Sequence, residues 1–145
     1  MEITPIPCLS DNYAYIINDS DSKTIGVVDP SEARPVIAFL EEKNLKLNFI
    51  LNTHHHFDHI GGLYNCLGIN MMLQRKSPLK IYGPPGTSEI IRGLMESCNV
   101  PRATGFGIPG QTLPHPNEFV EVYDLLPEHT LNFDDLTLNF FNIFF

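Results

Sequence analysis

The stretch Thr53-His54-His55-His56-Phe57-Asp58-His59-Ile60-Gly61-Gly62 puts four imidazoles and one carboxylate into six consecutive positions. Neutral imidazole and carboxylate are ligands for first-row transition metals, with zinc the first expectation. His54 and His56 stand two apart, so in an extended segment they project to the same side. Asp58 and His59 follow where the chain must turn, and can face a second point close by. A zinc site on a single helix would set its histidines four apart instead. The spacing therefore predicts a strand end opening into a loop beside two metals, with His54, His56, Asp58 and His59 as ligands. His55 points away from its neighbours and is read as structural.

The surrounding residues predict the elements that must position this loop. Residues 3–7 read as a short strand, residues 8–12 as a polar turn, and the alternation to residue 18 as a second strand. Residues 19–23 form a hairpin loop and residues 24–29 its return strand, which Pro30 ends because proline cannot donate to a ladder. Val36, Ile37, Phe39 and Leu40 recur at helical spacing within a helix expected over 35–44, with Pro35 suited to its first turn. A buried strand over 47–52 then leads into the metal motif. Beyond Gly62 the sequence predicts a helix over 63–74, and a loop, short strand and Pro-Pro-Gly turn over 75–86. A helix capped by Thr87 or Ser88 follows, with Glu89 in its first turn, and fades at Asn99-Val100-Pro101. Residues 102–117 read as a Gly- and Pro-rich loop carrying a surface histidine, His115. Residues 118–125 read as a strand, His129 as part of a polar turn, Asp134 and Asp135 as hairpin turn residues, and residues 136–145 as a last, apolar strand.

His54-x-His56-x-Asp58-His59 resembles the H-x-H-x-D-H signature of the metallo-β-lactamase-fold hydrolases, in the required context after a strand and before Gly-Gly. Together with Leu9-Ser10-Asp11-Asn12-Tyr13-x-Tyr15 and Val28-Asp29-Pro30, it resembles glyoxalase II, the hydroxyacylglutathione hydrolases, over residues 3–62. The resemblance implies an α/β fold, the N-terminal half of an αββα sandwich. It also implies that His54 and His56 bind one zinc and Asp58 and His59 a second, with iron or manganese compatible with the same donors. A hydroxide between the metals would attack a thioester, a glutathione conjugate, with Asp58 also orienting the nucleophile. Asp29 fits a supporting role better than ligation. The run Pro78-Leu79-x-Ile81-Tyr82-Gly83-Pro84-Pro85-Gly86 instead resembles the ribonuclease Z branch, which would make the chain a phosphodiesterase with a nucleic-acid substrate.

Composition sets the outer limits. A chain of 145 residues with 43% apolar and 18% charged residues is one ordinary globular domain. No run approaches the ~18 apolar residues of a membrane span, and the first residues lack a secretory signal, so a cytosolic or organellar protein without membrane partners is expected. The net charge of −8, with nine scattered Lys and Arg, argues mildly against nucleic acid. Cys8, Cys66 and Cys98, odd in number and widely spaced, are expected as buried free thiols.

The family comparison also implies a third histidine, a bridging aspartate and a final histidine after the last strand, and no residue matches them. The expectation is thus a single partial domain over 1–145 whose C-terminal half is missing, turning over thioester poorly by itself. A non-catalytic remnant is the reading from a different functional class.

Overall fold

A computed structural model describes residues 1–105, 110–133 and 136–139. Six strands form one sheet in sequence order: β1 (Glu2–Cys8), β2 (Asn12–Asp19), β3 (Thr24–Val28), β4 (Phe49–Leu51), β5 (Leu79–Gly83) and β6 (Val120–Asp124). The first three pair antiparallel through tight turns, and β3 to β6 run parallel. Parallel neighbours need long crossovers, supplied by α1 (Ala33–Glu42), α2 (Phe57–Ile60) with α3 (Leu63–Met72), and α4 (Thr87–Ser97) with α5 (Asn99–Ala103). A separate hairpin pairs β7 (Thr130–Phe133) with β8 (Leu136–Asn139).

Strand alternation divides the apolar residues between two faces. Ala14, Ile16, Val27, Ile50 and Ile81 face the helices and pack with Val36, Leu67, Met71 and Ile91 in the larger core. Ile17, Phe49, Leu51, Tyr82 and Leu125 face the other way, where Leu131 and Leu138 of the hairpin pack on them. Gly26 is needed on this second face, because the Phe49 ring lies where its Cβ would be, 2.1 Å away.

Several boundaries and turns differ from the sequence expectation. The first helix starts at Ala33 and stops at Glu42, because Asn44 (φ 52°) breaks the helical path. Phe57–Ile60 is a helical turn rather than open loop. Neither Thr87 nor Ser88 caps α4. Gly86 occupies the cap position at φ 98°, and the Asp124 carboxylate from β6 accepts from Gly86 N (3.1 Å) and Ser88 N (2.7 Å) instead. α4 ends at Ser97, close to where the sequence has it fade, but a separate short helix, α5, follows, and Pro101 sits in its first turn, where a missing N–H costs nothing. The expected loop also ends in a 3-10 turn, Pro116–Glu118, for which His115 is the cap, accepting from Asn117 N at 3.2 Å. His115 is therefore half-buried and engaged, not a bare surface residue. Cys8, Cys66 and Cys98 are buried free thiols, as expected. The expected turn at Asp134 and Asp135, residues 106–109 of the loop and residues 140–145 of the last strand lie outside the described residues.

Candidate metal centre

The ligand loop leaves the C-terminal end of β4, and its neighbour β3 supplies the residue that organises it. Asp29 follows β3 at φ 48°, a left-handed conformation that aspartate tolerates better than most residues. Its buried carboxylate accepts from Thr53 N (2.7 Å) and from Thr53 Oγ1 (2.6 Å). The Thr53 hydroxyl has one proton, and an ionised carboxylate can only accept, so that proton goes to Asp29. Thr53 Oγ1 lies 2.8 Å from His54 Nδ1 and must then accept from it. Donor counting therefore puts the His54 proton on Nδ1 and leaves the Nε2 lone pair free for a ligand.

His59 stands beside the same carboxylate but is not hydrogen-bonded to it. Its Nδ1 is buried, 3.2 Å from Asp29 Oδ2 without the alignment of a full hydrogen bond, and its Nε2 lies 3.6 Å from Asp58 Oδ2. The His54 and His59 rings are 3.8 Å apart between centroids, and the His56 ring meets His54 edge-on at 4.7 Å. Asp29, His54 and His59 each present a ligand atom within 4.8 Å of the others; His56 and Asp58 lie outside this tight group. Burial, and then the neighbouring His59, hold His54 below the usual imidazole range, favouring the neutral form that binds metal. Two imidazoles, His54 and His59, converging with the Asp29 carboxylate form a donor set that fits a divalent cation.

Three further contacts fix the loop from outside. Asn12 Nδ2 donates to the Asp58 carbonyl (2.7 Å) and lies 3.4 Å from its carboxylate, tying the Asp-Asn-Tyr turn to the second ligand pair. Gly62 N donates to Pro30 O at 3.0 Å. His55 turns away from the other histidines and its Nε2 meets Thr87 Oγ1 at 2.7 Å. Because Thr87 Oγ1 donates to Pro84 O, His55 is the donor in that pair. Among these, Asn12 and Thr53 were visible in the sequence as motif members without an assigned role. Thr87 was visible only as a helix-cap candidate, and Asp124 only as a strand residue.

The sequence profile of the Metallo-beta-lactamase superfamily matches residues 9–139, and the chain belongs to that superfamily. It is similar to the hydroxyacylglutathione hydrolase of Pelagibacter ubique, with 42% identity over 79% of this chain and 48% of that protein. The hydroxyacylglutathione hydrolase of Crocosphaera subtropica is 38% identical over 90% of this chain and 54% of its own length. The chain thus spans about half the length of the curated relatives it matches. Among solved structures, the fold resembles the BLEG-1 B3 metallo-beta-lactamase (TM-score 0.58, 22% identity, 94% of this chain and 58% of that one). It also resembles the metallo-beta-lactamase fold protein YhfI from Bacillus subtilis (TM-score 0.57, 15% identity, 92% of this chain and 46% of that one).

Proposed function

We propose that this chain carries the metal-binding part of a thioester hydrolase of the hydroxyacylglutathione hydrolase type. The observation that carries the reading is the Asp29–Thr53–His54 chain of hydrogen bonds, which fixes an imidazole tautomer for ligation. His54, His56, Asp58 and His59 would hold the metal, zinc by preference, and Asp29 would orient the imidazoles, since both its oxygens already accept from Thr53. When bound, a divalent metal there supplies Lewis acidity and lowers the pKa of coordinated water to about 7. Asp58, with its carboxylate exposed to solvent, is the group assigned to accept a hydrogen bond from the attacking water. The Asp29 carboxylate, through the Thr53 hydroxyl, keeps the proton of His54 on Nδ1. The names of the curated relatives support a glutathione thioester as substrate class.

The test is zinc binding by the 145-residue chain, followed by hydrolysis of S-D-lactoylglutathione and of bis(p-nitrophenyl) phosphate. Zinc uptake lost in His54→Ala and His59→Ala, with a slow, His54-dependent thioester hydrolysis, would support the proposal. No zinc uptake, or preferential phosphodiester cleavage, would reject it.

A further inference from the structure

Between α1 and α3 lies a cleft of about 520 Å³ that runs from Pro30 and Ala33 to Leu45, Lys46 and Arg75. Clefts of roughly 300–1,000 Å³ are the usual size for small-molecule sites. Its walls are apolar, formed by Ile37, Leu40, Leu45, Ile69 and Leu73 among others. Leu73 is 74% exposed on the rim, an apolar side chain left in water beside an apolar cleft. A second cleft of about 440 Å³ adjoins it and shares Ala33, Ile37, Glu41 and Ile69, so the two form one elongated groove.

The charge on this groove runs against that of the chain. Net charge is −8, yet three of the nine Lys and Arg residues, Lys46, Arg75 and Lys76, line the first cleft, against one carboxylate, Glu41. Arg75 is the most informative. Its guanidinium is half-buried and donates to Leu47 O (2.7 Å), Ser77 O (2.7 Å), Pro78 O (2.8 Å) and Asn70 Oδ1 (3.1 Å). All four acceptors are neutral, and among the described residues no carboxylate lies within ion-pair distance. Four of its five N–H donors are thus held by neutral oxygens, which fixes the guanidinium and leaves one Nη1–H and the net charge without a carboxylate partner among the described residues. A partly desolvated cation without a counter-charge is costly, and an anion in the cleft mouth would offset that cost.

We propose that the α1–α3 groove binds a single-chain anionic amphiphile, an alkyl carboxylate, with the tail along Ile37 and Ile69 and the head group among Lys46, Arg75 and Lys76. Apolar walls alone would accept any hydrophobe; the cation cluster selects the carboxylate. The cation end of the groove is separate from the metal centre, because Leu45 and Lys46 precede β4 whereas the ligand loop follows it.

The experiment is calorimetric titration of the full 145-residue chain with laurate below its micelle concentration, with dodecanol and dodecylammonium as comparators. Saturable one-to-one laurate binding is expected, stronger than for dodecanol and absent for dodecylammonium. The surface double variant Lys46→Glu/Lys76→Glu should weaken laurate roughly tenfold. Ile69→Trp, which puts a large side chain on the wall shared by both clefts, should abolish it, with circular dichroism verifying the fold of each variant. Equal affinity for dodecanol and laurate would overturn the role assigned to the cations. So would unaltered binding in the charge-reversed variant, which keeps the outcome decisive even if Ile69→Trp misfolds. Laurate binding that survives in a folded Ile69→Trp chain, or uptake only from micelles or vesicles, would overturn the site itself.

Discussion

Gly62 and Gly68 stand six positions apart, and the same substitution should act on them with opposite sign. Gly62 has ordinary right-handed backbone angles, φ −79° and ψ −11°, so nothing in its conformation demands glycine. Its surroundings do. A Cβ there would lie 2.3 Å from Pro30 O, 2.8 Å from Ala33 N and 3.0 Å from the Glu32 carbonyl carbon, all backbone atoms. Ordinary contact begins near 3.4 Å, so Pro30 O is 3.4 − 2.3 = 1.1 Å too close and a backbone segment must move by about that much. The shift also strains the Gly62 N–H donation to Pro30 O. Overpacking costs about 1–3 kcal/mol and a lost hydrogen bond about 1 more, so Gly62→Ala should destabilise the chain by roughly 2–4 kcal/mol. Around Gly68, inside α3, an added Cβ would meet nothing within 4 Å. Only backbone entropy counts there, and Gly68→Ala should stabilise by about 0.5–1 kcal/mol.

Urea unfolding of the metal-free chain, followed by circular dichroism, measures both effects. Because the β3–α1 connection contacts the end of the ligand loop, Gly62→Ala should also weaken zinc binding, whereas Gly68→Ala should leave it unchanged. If Gly62→Ala were neutral or stabilising, the close approach of Pro30 to the loop would not be what requires glycine there. The steric account of the Gly-Gly pair would then fail.

Three other outcomes follow from single contacts. Thr53→Val removes the hydroxyl that links Asp29 to His54 and should cost about 10–100-fold in zinc affinity, with Thr53→Ser restoring most of it, as read by chelator competition. Asp124→Ala strips the carboxylate from the first N–H groups of α4 and should cost about 0.5–2 kcal/mol in urea unfolding. Burial pushes the Cys66 thiol from its ordinary value of 9.0 up to about 11, against the opposing pull of Arg75. Above pH 9 the unfolded chain ionises this thiol while the folded chain does not. Stability should therefore be full below pH 9 and fall by up to about 2–3 kcal/mol as pH rises toward 11, and Cys66→Ala should remove that component.

What could be read in the sequence was what short-range patterning encodes. Alternation through Ile16 and helical spacing through Val36 and Leu40 report burial within a single element, and the ligand spacing from His54 to His59 is contained in one loop. The supporting contacts are long-range. Asp29 reaches Thr53 across 24 residues because β3 and β4 pair in parallel, and Asn12 reaches Asp58 across 46. Asp124 reaches Gly86 across 38, again through parallel strands, which is why the cap expected from Thr87 came from a distant strand. No local window contains both partners of any of these pairs. The short α5 went unforeseen for a different reason: proline stops a helix it sits inside, but not one whose first turn it occupies.

These long-range contacts share one consequence for the metal centre. A loop carrying His56 and Asp58 in the open would by itself sample many conformations, and each ordered residue costs roughly 1–2 kcal/mol of entropy. Here different scaffold segments each hold a different part of it. The end of β3 holds His54 through Thr53, the start of β2 holds Asp58, the β3–α1 connection holds Gly62, and the first residue of α4 holds His55. Folding of the sheet therefore meets much of the ordering cost before any metal arrives, and metal affinity becomes coupled to the parallel pairing of β3 with β4. Substitutions that loosen that pairing should weaken metal binding without touching a ligand.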